Sequence, residues 1–241
     1  MLPRLYSATP LATGAVIVLD PVGARHLREG LRLRLGESLL LFDGQGGEFA
    51  AKLTAMERQQ VRVTVGEHYP VQRESTLDIT LAQGISRSER MDYTIQKAVE
   101  LGISRLVPLA TARSTVRLDP ERARKRAEHW AGIVRHAAEQ SGRTQLPPLA
   151  EVASLADYVE RERAPLRLIL DPGATLSLSR VVLGPWISLA IGPEGGFSPT
   201  ERELLLAAGY QSASLGPRVL RTETAALVAL SILQSRGGDL A

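Results

Sequence analysis

Two short segments near the carboxyl terminus constrain this chain more than any other feature: Ile191-Gly192-Pro193-Glu194-Gly195-Gly196-Phe197-Ser198 and Leu215-Gly216-Pro217-Arg218-Val219-Leu220-Arg221-Thr222-Glu223-Thr224-Ala225. Each leaves an apolar run, passes through glycine and proline, and enters a helix-like pattern, which marks an irregular strand-to-helix loop. Two such loops at one sheet edge make a small-molecule site lined by main chain. The run that follows, residues 225–233, is apolar on nearly every side. A helix of that kind is buried on all faces, by its own domain or by a second subunit.

With 241 residues and 44% hydrophobic content, the chain has material for one large domain or two smaller ones around real cores. Its apolar runs fall well short of the roughly 20 residues that a bilayer crossing needs, so no membrane span is expected. The first residues lack the charged start and apolar core of a secretory signal. There is no cysteine, which removes disulfides and thiolate metal sites and fits a cytoplasmic protein. His26, His68, His129 and His136 show no ligand spacing, and no metal is expected. The net charge is only +3. Of the 29 basic residues, three are lysines (Lys52, Lys97, Lys125) and the remaining 26 are arginines. That bias suits phosphate and base edges, and equally fits an arginine-rich codon usage.

Along the chain the rhythm changes once. Strand-like stretches at residues 15–19, 38–42, 48–53 and 61–65, with a turn at 43–47, read as a small barrel or sandwich with at most one helix near 26–33. The polar run 69–75, with its proline, marks the boundary, giving domains 1–72 and 73–241. Beyond it strands and helices alternate: strand 77–83, helix 89–101 stopped by Gly102, strand 103–109, helix 119–140, strands 166–170 and 186–191, and a capping box at residues 198–201 that opens a helix closed by Gly209. Such alternation predicts an α/β fold on a parallel sheet.

The glycine loops are not nucleotide phosphate loops. There is no GxxxxGK[ST], and residues 192–196 lack GxGxxG spacing. Glu194 repels phosphate but suits a cationic or hydroxyl-bearing ligand. No GxSxG is present, so a serine hydrolase is unsupported. The Arg122-Ala123-Arg124-Lys125-Arg126 run reads as a solvated helix face. Residues 137–143 end the long helix in polar groups; they are either its solvated end or a row placing Glu139, Gln140 and Arg143 beside a polar substrate.

Together with Pro3-Arg4-Leu5-Tyr6, His26-Leu27, Gln96-Lys97-Ala98-Val99-Glu100-Leu101-Gly102 and Glu139-Gln140-Ser141-Gly142-Arg143, the two loops closely resemble those of the small-subunit 16S ribosomal RNA methyltransferases that act on N3 of a uridine. These are SPOUT-class enzymes that use S-adenosylmethionine. The resemblance covers essentially the whole chain. It implies an N-terminal PUA-like β-barrel for RNA, a C-terminal SPOUT methyltransferase domain with a trefoil knot, and a homodimer. Carried over by position, the cofactor contacts are Leu170, Ile191, Gly192, Pro193, Gly195, Gly196, Leu215, Gly216, Arg218, Val219 and Leu220. Two positions depart from the family's usual pattern: Gly30 replaces an apolar residue, and Asp171 stands where some relatives have histidine.

The chemistry then suggests roles. Uridine N3 must lose a proton before it accepts a methyl, and a guanidinium aimed at the flanking oxygens favours the anion, a role for Arg221. Glu223 either accepts that proton or caps a helix start. Arg4, Arg32, Arg87, Arg113 and Arg143 are expected on RNA phosphates. Two other functions fit the same residues less well: methylation at another site, such as a ribose 2′-oxygen of transfer RNA, and a non-catalytic RNA-binding assembly factor.

Overall fold

The computed structural model describes residues 2–57, 60–114 and 119–240. The chain divides into two compact units, residues 1–74 with 138–146, and residues 75–137 with 147–241. In the first unit, strands β1 (Arg4–Tyr6), β2 (Val16–Val18), β3 (Ser38–Phe42), β4 (Glu48–Met56) and β5 (Val61–Tyr69) form one sheet in the order β1-β3-β4-β5-β2. Only β1 and β3 run parallel. Along β5, Val61, Val63 and Val65 are buried while Arg62 is exposed, the period-two pattern of a sheet with one face in a core. Val63 lies opposite Leu53 and Val65 opposite Ala51. Leu5, Leu27, Leu39 and Leu41 complete that core.

Where the sequence suggested one helix near residue 26, the chain forms a short helix α1 (Pro21–Arg25), capped by the Asp20 carboxylate, that runs into a single π turn, His26–Gly30. The turn explains Gly30. A Cβ there would lie 2.5 Å from Cδ2 of the His26 ring, so the imidazole occupies the space that a side chain needs. Two residues on, Arg32 holds φ at 51°, a left-handed conformation unusual outside glycine.

The return segment 138–146 is stapled into this unit by buried charge. The Arg4 guanidinium donates to Glu48 Oε2 (3.0 Å) and to the carbonyls of Ala138, Glu139 and Arg143 (3.1, 3.2 and 2.9 Å), and it stacks 4.7 Å from the Phe42 ring centre. Arg73 adds a two-pronged pair with Glu48 and a bond to the Gly142 carbonyl. Burial pushes the Glu48 carboxyl upward, but Arg73 and Arg4 outweigh it and hold the group below the usual carboxylate range. Burial likewise pulls Arg4 below its ordinary value, against the pull of Glu48. Glu74 accepts from the Arg143 guanidinium (2.8 Å) and from the backbone N–H groups of Thr144 and Gln145. Arg4→Ala removes one partner from this buried network and is expected to cost about 3 kcal/mol or more of stability, readable as a lower urea midpoint.

The second unit carries a six-stranded, wholly parallel sheet. Strands β6 (Asp78–Gly84), β7 (Arg105–Ala110), β8 (Ala153–Ser154), β9 (Leu166–Leu170), β10 (Trp186–Ile191) and β11 (Gln211–Ala213) lie in the order β11-β9-β10-β6-β7-β8. Helices α2 (Ser88–Glu100), α3 (Pro120–Ser141), α4 (Leu155–Arg161), α5 (Pro199–Ala207) and α6 (Thr222–Gly237) connect and follow them. Covered on both faces, β6 reads as a continuous buried run from Ile79 to Gly84. Leu155, Tyr158 and Leu205 of α4 and α5 pack against Ala82, Val107, Leu109, Ile169 and Ala190. Beneath them the Tyr158 hydroxyl donates to Glu162 (2.7 Å) and meets Ser188 (2.6 Å), which meets the Tyr210 hydroxyl (2.8 Å). Burial pushes the Tyr158 hydroxyl well above its ordinary value, so it stays protonated and able to donate.

Helix α6 is not enclosed all round. Ala226, Ala229, Leu230 and Leu233 are fully buried, while Ala225, Val228 and Ile232, a stripe at steps of three and four, are only half-buried. Among the described residues no helix is long and apolar enough to cross a membrane.

Candidate functional site

The order of the sheet creates the site. The chain moves outward through β6, β7 and β8, then returns to lay β10 between β6 and β9 and β11 beyond β9. In parallel register, with Ala190 beside Ile169 and Ala213 beside Leu170, the carboxyl ends of β9, β10 and β11 come to one edge. Ligands of open parallel sheets bind at such a reversal of strand order. The loops leaving these three strands enclose a cavity of about 510 Å³. Every position carried over as a cofactor contact lines it: Leu170 from the first loop, residues 191–193, 195 and 196 from the second, and residues 215, 216 and 218–220 from the third. Arg221 lines it as well, whereas Glu223, in the first turn of α6, is not part of the lining.

Glycine shapes both faces of the wall. Gly196 and Gly216 hold φ at 66° and 108°, and a Cβ at either would meet nothing within 4 Å. Since both line the cavity, a side chain there would be strained and would project into open space at its wall. Behind the loop the opposite holds. A Cβ on Gly192 would come within 2.8 Å of the Gly196 carbonyl carbon and the Phe197 nitrogen, because the loop folds tightly on itself through a Gly196 N–H to Pro193 carbonyl bond of 2.8 Å.

Residues that the loop motifs alone do not single out hold the two glycine loops together. Gln83, fully buried at the end of β6, donates from Nε2 to Thr222 Oγ1 at 3.0 Å, and the Thr222 hydroxyl donates to the Gly192 carbonyl at 2.7 Å. Thus the start of α6 is tied to the first turn of the preceding loop. Gly84, next along β6, lets that loop approach: a Cβ there would sit 2.6 Å from the Pro193 nitrogen. The signal was present as an amide and a glycine ending a buried strand, a place where buried polarity must have a partner.

The charged side chains sort into committed and free. Asp171, the unusual position, accepts from Gly173 N–H (2.9 Å) to form its turn and pairs with Arg202 (2.7 Å). Glu194 accepts the Arg87 N–H at 3.1 Å and faces Arg90 at 3.3 Å. Arg113 donates to the Gly195 carbonyl at 2.9 Å and so lies at the lip of the cavity. Arg32 and Arg87 have exposed side chains. Arg4 and Arg143, expected on phosphates, are instead buried and engaged with Glu48, Glu74 and backbone carbonyls. The side chains of Arg218 and Arg221, by contrast, make no hydrogen bond or ion pair among the described residues, and both residues are exposed at the cavity.

Comparison with known proteins agrees with this geometry. Residues 73–234 match the RNA methyltransferase domain family, and residues 24–66 match the RNA methyltransferase PUA domain, so the N-terminal unit is PUA-like. The chain is 35% identical over 237 residues to ribosomal RNA small subunit methyltransferase E of Synechocystis, covering 95% of this chain and 76% of that protein. It is 30% identical over 241 residues to the enzyme of that name from Buchnera aphidicola, covering 99% and 98%. Among solved structures, a Legionella pneumophila protein in complex with S-adenosylmethionine aligns with a TM-score of 0.97 at 41% identity over all of both chains. The Neisseria gonorrhoeae ribosomal RNA small subunit methyltransferase E, also bound to S-adenosylmethionine, aligns at 0.92 and 35% over all of both chains. A parallel sheet with main-chain loops at its strand reversal, a PUA-like unit before it, and these end-to-end similarities place the chain in the ribosomal RNA small subunit methyltransferase E family.

Proposed function

We propose that this protein transfers a methyl group from S-adenosylmethionine to N3 of a uridine in 16S ribosomal RNA of the small subunit. The observation that carries the reading is the cavity itself: backbone loops around glycines 196 and 216, with two guanidinium groups, Arg218 and Arg221, at the wall and uncommitted among the described residues. The volume suits a nucleoside-sized ligand, and open space at both glycines fits a flat ring lying against main chain. Residues 191–196 and 215–220, with Leu170, would hold the cofactor. S-adenosylmethionine supplies an electrophilic methyl on a sulfonium.

The protein's part is alignment and charge. It must hold N3 in line at near-attack distance, which removes much of the entropic part of the barrier. Arg221 stabilises the negative charge that spreads over the uracil oxygens as the N3 proton leaves, and Glu223 accepts that proton. Because N3 is on the pairing edge, the base enters unpaired. Arg32, Arg87 and Arg113 then meet RNA phosphates, Arg113 keeping the rest of its fork free among the described residues beside Gly195. Residues 1–72 serve as the RNA-binding domain and residues 73–241 as the methyltransferase domain, with the returning strand order closing as a trefoil knot.

The working form in this reading is a cytoplasmic homodimer joined through α6. Leu230 is unsuited to test that, since it has no exposed surface within its own unit. Ile232, on the half-open stripe, is suited. Ile232→Asp is expected to yield a monomer in sedimentation, because an unpaired carboxylate at an apolar interface costs several kcal/mol. A dimer at unchanged affinity would remove α6 from the interface.

The function is tested by incubating unmethylated small subunits with the protein and labelled cofactor, then mapping the product by mass spectrometry. One N3-methyluridine is expected. A ribose-methylated product would point to the other methyltransferase reading, and RNA binding without any transfer to the assembly factor.

A further inference from the structure

One guanidinium in the cavity wall joins two acidic side chains, Glu194 of that wall and Glu223 of α6. Arg90, in the first turn of α2, places an Nη 3.3 Å from Glu194 Oε1 and its Nε 3.8 Å from Glu223 Oε1. Glu194 belongs to the first glycine loop and is itself fixed by the Arg87 N–H. Glu223 lies in the first turn of α6. Yet it caps nothing: α6 has no side-chain cap bond, and Glu223 Oε2 is buried without a hydrogen-bond partner, as is Glu194 Oε2. A first-turn carboxylate ordinarily finds an orphan N–H. Here its only ionic partner among the described residues is Arg90, so the direction of Glu223 is set from α2.

We infer that Arg90 is a positioning residue for methyl transfer: anchored by Glu194, it fixes the direction of the Glu223 carboxylate, which receives the proton of the substrate nitrogen. The inference rests on the uridine N3 reading above. In the step, the N3–H bond breaks and its electron pair forms the new N–CH₃ bond. The pair of the S–CH₃ bond stays on sulfur, and the proton forms an O–H bond on the Glu223 carboxylate. Without Arg90 two carboxylates would have no cation between them, and Glu223 would lose the one ionic partner it has among the described residues. No acidic or basic residue of β10, which packs against α6, competes for Glu223, since the strand carries none. The Leu178–Arg180 turn meets α6 at its other end, through Arg236.

The test is a double-mutant cycle on single-turnover methyl transfer to unmethylated small subunits, using Arg90→Met, Glu223→Gln and the pair. Glu223→Gln is expected to slow transfer about 100-fold, the scale of a lost proton acceptor. Arg90→Met is expected to slow it about tenfold, and the double variant to be no slower than Glu223→Gln alone. Arg90→Lys should recover most of the rate, and calorimetry should find cofactor affinity within a few-fold of wild type throughout. If the two losses multiply, Arg90 does not act through Glu223 and the inference fails. If cofactor affinity falls in parallel with the rate of Arg90→Met, its role is to build the loop and the inference also fails. Glu223→Gln at the wild-type rate would overturn the proton-acceptor role. Failure of the wild type to methylate uridine N3 would instead overturn the proposed function, and this inference with it.

Discussion

Arg221→Ala is expected to bind S-adenosylmethionine within a few-fold of wild type and to transfer methyl more slowly by about two to three powers of ten, the usual scale for losing one charge-stabilising donor. The separation of the two effects follows from where the side chain sits. Arg221 is the N-cap residue of α6 in extended geometry, φ −64° and ψ 154°, and its side chain makes no capping bond. It pairs with nothing among the described residues, so its removal leaves no buried partner stranded and no loop untied. The loss should therefore fall on the charge that appears only as N3 gives up its proton, which lowers kcat and kcat/KM together. Rapid-quench single turnovers with cofactor calorimetry alongside would read both. A rate near wild type would take Arg221 out of the chemistry.

Gly84→Ala should have the second large effect, for a steric reason. The new methyl would lie 2.6 Å from both the nitrogen and the Cδ of Pro193 and 2.9 Å from the Gly192 carbonyl carbon. These are backbone and ring atoms that cannot swing aside, so the first glycine loop must move as a piece. Its other anchor is the Thr222 hydroxyl on the Gly192 carbonyl, held in turn by Gln83. A shift of the loop would stretch that bond and leave a buried carbonyl and hydroxyl poorly paired, while overpacking itself costs about 1–3 kcal/mol. Cofactor affinity and turnover should both fall, turnover by about 100-fold, the penalty of misplacing a reacting centre by around an ångström. Glycine at 84 thus carries a cofactor requirement without touching the cavity. Unchanged cofactor affinity in Gly84→Ala would mean that the loop has slack which its packing does not show.

How far the sequence could be read depended on whether a local pattern or a distant partner set each feature. Strands β3, β9 and β10 coincide with the expected spans, because apolar runs bounded by turn residues define themselves. Gly102, Gly142 and Gly209 end their helices with φ of 77°, 86° and 85°, as helix-stop glycines do. The capping box at Ser198 and Glu201 is present, and Glu201 also accepts the Ala112 N–H at 2.7 Å, a tertiary bond that the motif does not announce. Short elements with little pattern of their own were missed: β1, β8, β11 and α4 span only two to seven residues, and neighbours in the sheet or core define them.

The site follows the same division. The glycine loops were legible because positive φ and close backbone approach restrict residue choice at the positions themselves. The arginines were less so. Arg4 and Arg113 look alike in sequence, but one is enclosed by Glu48 and three carbonyls while the other lies at an open loop, and only the paths of β4 and the return segment 138–146 decide between them. Gln83, Gly84 and Arg90 matter through residues more than 100 positions away, so no local window contains their partners.

What the two glycine loops hold decides the function. A crystal of the wild-type protein soaked in S-adenosylmethionine should show it between residues 191–196 and 215–220, lying over Gly196 and Gly216 with its methyl turned toward Arg221. Well-ordered loops with that cleft empty at saturating cofactor, or the cofactor bound elsewhere, would contradict it.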